Sequence, residues 1–582
     1  MSGEIVLRGG RVYQSGEARS RPGGVVVRGK RIAAVGPEAE LAPFVPGAAE
    51  VVDLDGALIL PAFQDSHVHP NIGGLVERGL DLGEQRSAEA LLEAIRQWAD
   101  GLREDAWVSG WGWGQHLFGP DGPGRGALDA VTGGRPAVLT RGDGHAAWAN
   151  TEALRRAGVL EPVPDRPGGA VVRGPDGLAL GLLQEEATAL VESLVPEPTW
   201  AERKAALLAA QAKLAGFGIA AWQDASVSAR DAGLYAELEA EGLLTATVIG
   251  ALRWEDTRGL EQLASLEATR RATAGERFRP SAVKILYDGV VDGSLTAAVL
   301  EPYLDGAGAP TDNRGATFFR AEELGPIVAA ITGAGFQTHF HALGDRAVRE
   351  ALDGIERAGV LLGSGSGSGS GPGSGPGSGS GSGSGPGPGG GAAAGLGAVR
   401  ALRPILSHIQ LIDPADIPRF AQLGAIASAQ PLWAVYDRVQ TDLTWPFIGP
   451  ERAGRQYPFG ELAAAGALLA GGSDWPVSTP DPLQGIHVAV NRSLWAAEAA
   501  DGGPGAGPLG PDQAITLAEA LTAYTAGSAW ANHRETESGT LDPGKLADLA
   551  ILDRDPFLGP PDQIGAARVI RTYASGREVF RA

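Results

Sequence analysis

Short apolar runs alternate with helical segments along the middle of this chain, and this alternation limits the fold more than any other feature. Two of the helices carry a start signal, because Thr199 and Thr516 are each followed three residues later by a glutamate, the spacing of a capping box. Strands that alternate with helices favour a parallel sheet with crossover helices, and therefore an α/β fold. The predicted strands cover residues 58–63, 107–110, 137–140, 219–223, 245–249, 282–287, 336–340, 405–407, 425–429 and 467–470.

These predicted strands are more numerous than a closed eight-stranded barrel requires. We therefore expect a (β/α)8 barrel of the TIM type over residues 58–534, with two or three of the strands in excursions. Residues 112–180 are rich in glycine and proline and are the best candidate for an excursion. A chain of 582 residues is long enough for such a barrel and a smaller second unit.

Both ends of the chain have the pattern of short strands separated by glycines and turns. The strand-like runs cover residues 5–7, 24–27, 32–35, 549–552 and 569–573. They predict one small β-unit made from residues 1–57 and 535–582. Two unrelated strand appendages are the alternative.

Residues 363–391 consist almost entirely of glycine, serine and proline. Nothing in this segment can be buried to offset the entropy of ordering it, so we expect a flexible insertion within the barrel. It follows a helical pattern at 346–358 and precedes the strand at 405–407, which predicts a position at the bottom of the barrel. Active sites of such barrels lie at the opposite face.

Composition excludes several classes of function. The chain has no cysteine, so disulfides, thiolate metal sites and a cysteine nucleophile are excluded, and histidine, carboxylate and modified lysine remain as metal ligands. A formal charge of −21 opposes binding to nucleic acid or to anionic lipid. No run approaches the roughly 18 apolar residues of a membrane span, and no export signal is visible, which predicts a cytoplasmic protein.

Chemistry-bearing residues stand at the ends of the predicted strands, where a barrel places its active site. His67 and His69 follow the first strand, and side chains two apart in an extended segment share a face, so both imidazoles can reach one metal ion. His341 and His408 end two later strands. An isolated His-x-His pair is more often a surface accident, so the metal interpretation depends on these further strand ends.

Two more polar residues extend this pattern. Asp474 follows the last strand, and its carboxylate can bind a metal and also accept a proton from water, although capping of a turn is the alternative. Lys284 interrupts an apolar strand, where a buried ammonium is costly without a partner, although a lysine that reaches solvent is equally consistent.

Two histidines, a lysine, two further histidines and an aspartate, in this order at successive strand ends, resemble the metal pattern of the amidohydrolase superfamily. Further segments resemble its third family, the branch that contains N-substituted formamide deformylases, and the resemblance covers nearly the whole chain outside the Gly/Ser segment. These segments are residues 110–113, 143–150, 181–185, 283–285, 288–289, 341–346, 408–410 and 543–548.

The resemblance implies a small β-sandwich built from both termini beside the barrel. It also implies one or two divalent metal ions, with zinc as the first candidate, and a carboxylated Lys284 that bridges two ions. His67 and His69 would bind one ion, and His341 and His408 the other. Asp474 would act as general base in the hydrolysis of a non-peptide C–N bond in a small amide-like substrate. Some relatives use a single ion, and Glu185 is a rival bridging group.

The expected substrate contacts are His145, Glu185, Trp475 and Asp345. Tryptophans at positions 111, 113 and 148 also flank the motifs and could line an apolar pocket. His339 shares a strand face with His341, so we assign it to a supporting position or to the barrel interior. His116, His487 and His533 are assigned structural positions, and a homodimer is kept as an option.

Two other functions remain open at this stage. The same metal chemistry can deaminate a ring or open a cyclic amide. Pocket shape, and not the metal ligands, selects among these reactions, so the sequence separates them poorly. A barrel that has lost catalysis is the second alternative. Every expected ligand position is filled, which argues against it.

Overall fold

Eight parallel strands form a nearly closed barrel in the computed structural model, which describes residues 4–119, 122–164, 168–365, 388–495 and 507–582. The predicted α/β barrel is confirmed. In ladder order from the first strand of the barrel to the last, the strands are Phe63–Val68, Ile219–Val227, Thr247–Arg253, Phe278–Leu286, Gln337–Ala342, Ile405–His408, Ile426–Ala429 and Leu468–Gly471.

Helices cross over between these strands and pack their apolar faces on the barrel. Both predicted capping boxes are present, because the side chains of Thr199 and Thr516 each accept a hydrogen bond from the main chain of the glutamate three residues on. The helices that connect the barrel strands or follow the last of them are Trp200–Gly216, Ala229–Ala240, Leu263–Thr273, Ala321–Gly333, Asp345–Gly365, Pro388–Leu402, Ile417–Leu423, Trp445–Gly454, Phe459–Ala464, Pro482–Asn491, Leu517–Thr522 and Ser528–Ala531.

Both termini contribute to one mixed sheet beside the barrel, as predicted. The C-terminal strand Leu549–Leu552 pairs antiparallel with Leu58–Pro61, which joins the two ends of the chain. Side chains of this sheet, among them Val12, Ile59 and Tyr573, form an apolar core separate from that of the barrel. Its strands are Glu4–Val12, Arg21–Arg28, Arg31–Gly36, Glu50–Asp53, Leu58–Pro61, Leu549–Leu552, Val569–Ala574 and Arg577–Arg581.

The predicted strand at 58–63 is in fact two strands in different sheets. Leu58–Pro61 belongs to the terminal sheet, and the barrel begins at Phe63. Both pieces are fully buried, so hydrophobicity gives no sign of the change of sheet. The domain boundaries at 57/58 and 534/535 stay predictions.

The residues between the first and second barrel strands in the chain form a third sheet, which contains two of the surplus predicted strands. The predicted strands at 107–110 and 137–140 correspond to Val108–Trp113 and Ala137–Arg141. We call this unit the excursion sheet. Its strands are Leu80–Asp81, Val108–Trp113, Ala137–Arg141, Ala146–Ala149, Gly169–Arg173 and Ala179–Glu185. The helices in and around it are Pro70–Val76, Ala88–Asp100, Arg125–Val131, Thr151–Ala157 and Ala189–Glu192.

The predicted flexible segment at 363–391 falls largely outside the described residues, which stop at Gly365 and resume at Pro388. Its first and last residues belong to the helices Asp345–Gly365 and Pro388–Leu402. These two helices pack together, with the backbones of Gly363 and Gly391 in contact. Within the described ranges, no helix is long and apolar enough to cross a membrane.

Candidate active site

Six predicted metal-site residues lie at the carboxyl ends of the barrel strands. Lys284 and His341 are on strands, His67 is one residue from the end of its strand, and His408 ends its strand. His69 and Asp474 follow the first and last strands. The sequence predicts His67 just after its strand, but the strand runs to Val68 and includes it.

Main-chain hydrogen bonds draw the first and last barrel strands together at this site. The Asp474 N–H donates to the His67 carbonyl at 2.8 Å, and the His69 N–H donates to the Trp475 carbonyl at 2.9 Å. The Asp65 carboxylate accepts from the main-chain N–H groups of His67 at 2.9 Å and Ser473 at 3.1 Å. Asp474 is therefore held beside the two histidines by backbone as well as by side chains.

The predicted ligands form one cluster. His67, His408 and Asp474 each offer a ligand atom, and these three atoms lie within 4.8 Å of one another. Asp474 Oδ1 is 3.0 Å from His69 Nε2 and 3.3 Å from His67 Nε2. Lys284 Nζ is 3.2 Å from His67 Nε2.

His341 joins the cluster through His408, since the centres of their rings are 4.5 Å apart. The structure thus brings together all six residues that the sequence assigned to a metal site. Whether each one binds metal remains a prediction.

A divalent cation fits the donor groups of this cluster. Within the described residues, the buried Nδ1 atoms of His69 and His408 have no hydrogen-bond partner. Buried polar atoms without partners are uncommon in native proteins, and a bound ion is one of the standard reasons for them. Imidazole nitrogens with a carboxylate are also a ligand set that zinc accepts.

The electrostatics of the cluster suit metal binding, because a ligating imidazole must be neutral. Burial, supplemented by neighbouring cationic groups, lowers the pKa of His67, His341 and His408 well below the usual value. Burial also lowers the pKa of Lys284 to about 7, although the charge of Asp474 opposes this shift.

The Asp474 carboxylate keeps its negative charge despite its position. Burial alone would raise its pKa, but a hydrogen bond from His69 and the nearby His408 and Lys284 hold the pKa of Asp474 below its usual value. The cluster therefore combines neutral nitrogen ligands with one ionised carboxylate at neutral pH.

A cavity of about 460 Å³ opens above the cluster. His341, His408 and Asp474 lie on its wall, so a small molecule in the cavity can reach the cluster. Trp475 lines the cavity, as do two of the other tryptophans singled out in the sequence, at positions 111 and 113. Trp148 instead packs in the excursion core, where its indole N–H donates to a main-chain carbonyl.

His145 reaches the cavity from the excursion sheet, and Glu185 holds it there. His145 Nδ1 is 2.7 Å from Glu185 Oε2, and the His145 ring lies 5.0 Å from the ring of His341. Burial alone would lower the pKa of His145, but Glu185 and then Asp143 raise it to about 9. Glu185 is also bound by the Thr296 hydroxyl, at 2.5 Å.

Two predicted substrate contacts are not on the cavity wall. Within the described residues, neither Glu185 nor Asp345 is among those that line the cavity. The Asp345 carboxylate accepts hydrogen bonds from the main-chain N–H groups of Leu300 at 2.8 Å and Arg346 at 3.0 Å. A direct substrate contact from either residue stays a prediction.

Comparison with known proteins identifies the family. The family model described as the amidohydrolase family matches residues 50–368 and 391–580. The chain belongs to the amidohydrolase family. The gap in the match, residues 369–390, coincides with the Gly/Ser/Pro segment.

Relatives in this family match almost the whole chain. N-substituted formamide deformylase of Arthrobacter pascens is 26% identical over 95% of this chain and 94% of its own length. Protein LONG AFTER FAR-RED 3 of Arabidopsis thaliana is 28% identical over 99% of this chain and 91% of its own length. A crystal structure of a metal-dependent hydrolase from Pyrococcus horikoshii aligns with a TM-score of 0.69 and 25% identity, and covers 96% of this chain and 99% of that one.

Several residues of this amidohydrolase site were not singled out in the sequence. Arg141 is only 4% exposed and pairs with Asp143 at 2.6 Å on the cavity wall. Asp292 and Trp433 also line the cavity, and His116, which was assigned a structural position, does so as well. In the sequence, the signal for Arg141 was an arginine at the end of an apolar strand.

Proposed function

We propose that this chain is a metal-dependent hydrolase that cleaves a non-peptide C–N bond, of amide or formamide type, in a small molecule. One observation carries the proposal: His67, His408 and Asp474 offer ligand atoms within 4.8 Å of one another at the base of a cavity open to a small molecule. The name of the Arthrobacter pascens relative supports the choice of bond.

One or two divalent ions, with zinc as the first candidate, would be held by His67, His69, His341, His408 and Asp474, with Lys284 as a bridge. Such an ion lowers the pKa of a water to roughly 7 and polarises a carbonyl group. The partnerless nitrogens of His69 and His408 support this assignment.

Asp474 is the general base of the proposed reaction. Its Oδ1 faces His69 and His67, at 3.0 and 3.3 Å, and its charge is retained at neutral pH. It accepts the proton of the attacking water and transfers it to the leaving nitrogen. His145 and Trp475 face the substrate from the cavity wall, and Glu185 orients His145.

Lys284 is proposed to carry a carboxylate on its amine. A neutral amine adds to carbon dioxide, forming an N–C bond and releasing one proton to solvent. Burial of Lys284, at 6% exposure, and its lowered pKa favour the neutral amine that this reaction needs. The product is an anion that can bridge two ions.

Elemental analysis of the purified chain tests the metal centre, with Lys284→Ala expressed in bicarbonate beside the unaltered protein. Lys213→Ala is a matched control, because Lys213 also lines the cavity but pairs with Glu77. Two ions per chain that fall sharply only in Lys284→Ala support the bridged centre. One ion that survives the substitution contradicts the bridge and moves attention to Glu185, and no ion contradicts the metal-dependent function.

Assays with N-substituted formamides, in which formate release is measured, test whether the chain cleaves the proposed C–N bond. Ammonia release from a ring substrate with no formamide turnover would contradict the proposed bond and favour a deaminase. The matched inactive control is Asp474→Asn, which removes the general base and leaves the cavity.

A further inference from the structure

A row of buried polar side chains crosses the barrel interior beneath the cluster of candidate metal ligands. Gln223, Gln337, His339 and Ser407 are each at most 2% exposed, and they stand on three neighbouring or facing strands of the barrel. Polar groups this deep need defined hydrogen bonds, because unsatisfied ones are costly. The row ends at His67.

Main-chain carbonyls fix the direction of the first hydrogen bonds. Gln337 Nε2 lies 2.7 Å from the carbonyl oxygen of Arg403 and 2.9 Å from that of Ala531. A carbonyl oxygen only accepts, so the Gln337 amide nitrogen must face these two groups. Gln337 Oε1 then accepts from Gln223 Nε2 at 3.1 Å.

The same logic fixes His339. Once Gln223 Nε2 donates, Gln223 Oε1 is the atom that contacts His339 Nδ1, so Nδ1 must carry a hydrogen. His339 is fully buried, which disfavours a charged ring, so its Nε2 is a bare acceptor.

His67 receives the end of this chain of bonds. His339 Nε2 is 2.6 Å from Ser407 Oγ and 2.9 Å from His67 Nδ1, and Ser407 Oγ is 2.7 Å from His67 Nδ1. If the Ser407 hydroxyl donates to His339, its oxygen accepts from His67 Nδ1. If His67 Nδ1 donates to His339 directly, the hydrogen is again on Nδ1.

We propose that His339 and Ser407 are positioning residues that set the tautomer of His67, with polarity fixed by the carbonyls of Arg403 and Ala531. The hydrogen is held on Nδ1, so the lone pair of Nε2 points toward Lys284 and Asp474. The opposite tautomer would direct an N–H at the same place. The inference rests on the proposed function only in that an ion binds at Nε2.

The tautomer itself is measured by NMR of the full-length chain labelled with 15N-histidine, after removal of metal with a chelator. The signals of His67 are assigned by their loss in His67→Gln. A hydrogen on Nδ1 is expected, and a hydrogen on Nε2 overturns the proposal. This measurement holds even if the chain binds no ion, so failure of the proposed function is separable from failure of the inference.

Zinc affinity of full-length variants, by competition with a chromophoric chelator, measures the consequence. His339→Leu leaves the Ser407 hydroxyl free to donate to His67, so we expect zinc to bind on the order of 10- to 100-fold more weakly. His339→Gln keeps an oxygen acceptor and should stay within about threefold of the unaltered chain. A folded His339→Leu variant with unchanged affinity, or equal losses in both variants, overturns the proposal. If His339→Leu does not fold, the NMR measurement decides.

Discussion

The barrel and the excursion sheet both place histidines at the cavity, yet the two groups are in opposite electrostatic states. The barrel histidines His67, His341 and His408 are buried close to Lys284 and to one another, and burial lowers their pKa even though Asp474 lies 3.3 Å from His67. His145 is largely buried as well, but Glu185 at 2.7 Å raises its pKa to about 9. The close pairing of His145 with Glu185, where the barrel histidines share Asp474 with Lys284, separates a cation from neutral ligand nitrogens.

The two regions also hold their residues differently. Main-chain bonds across the first and last strands fix His67, His69 and Asp474, so the barrel residues depend on the closure of the barrel. The His145 ring is oriented by the Glu185 side chain, which Thr296 holds in turn, in addition to one main-chain bond from the Glu185 N–H to the His145 carbonyl. We therefore expect changes in the barrel to abolish the reaction and changes in the excursion sheet to weaken substrate binding.

The largest effect is expected for Asp474→Asn on the barrel side. Without the general base, kcat should fall by at least about 1,000-fold, while much of the metal is retained because the histidines remain. Steady-state kinetics and metal content of the same preparation measure the two effects. Near-normal turnover would refute the assigned mechanism.

A smaller effect, with a different signature, is expected for His145→Gln. We expect kcat/KM to fall by about 10- to 100-fold, mainly through KM, with unchanged metal content. In the unaltered chain, kcat/KM should decrease as the pH rises through about 9, because His145 loses its proton there. Glu185→Gln removes the partner and should move this decrease to lower pH. A pH profile that is identical in the two proteins would contradict the role of the pair.

Asp292, which lines the cavity from the barrel side, should affect stability and not only activity. Burial raises its pKa to about 6, although hydrogen bonds from Thr444 and Gln410 oppose the shift. An unfolded aspartate titrates near 4. As the pH rises from about 4 to about 6, the unfolded chain therefore loses this proton before the folded chain does, and the free energy of unfolding falls. Asparagine does not ionise, so the free energy of unfolding of Asp292→Asn should lack this decrease.

The stability advantage of Asp292→Asn should therefore grow by about 1 to 3 kcal/mol as the pH rises through this window, and stay constant above it. Chemical unfolding at pH 5 and pH 8 measures the change. The exposed Asp312→Asn is the control for the removal of one carboxylate. An advantage of equal size at both pH values would show that Asp292 ionises as freely in the folded chain as in the unfolded one.

The smallest effect is expected far from both regions. The helix Asp345–Gly365 leaves the site and extends for roughly 30 Å, so Gly365, the last described residue before residues 366–387, lies away from the cavity. Replacing them by a short glycine–serine linker should leave kcat/KM within about twofold, because the flanking helices are already in contact at Gly363 and Gly391. A tenfold loss would contradict a position remote from catalysis.

The sequence was sufficient to predict the barrel and the six clustered residues, because strand ends of a parallel barrel converge whatever the connecting segments do. It failed where burial is uniform, as at residues 58–63, where one apolar run supplies two sheets. The sequence also showed no sign that the Asp345 carboxylate accepts hydrogen bonds from the main chain, and its contact with substrate stays a prediction.

Polar residues inside the barrel were harder to interpret. Gln223, Ser407 and Asp65 interrupt apolar strands, and such interruptions indicate a buried partner. The partners lie on strands that are distant in the chain, as with Gln223 and Gln337, so only the folded barrel shows which pairs form.

The seam between the first and last barrel strands has a consequence for synthesis of the chain. His67 and Asp474 are about 400 residues apart, and a ribosome needs roughly 20 to 80 s to cover that distance. During this interval the nascent chain presents His67 and His69 without their carboxylate. Capture of a metal ion should therefore belong to the last stage of translation, and chains that stop before residue 474 should leave the ribosome without a retained ion.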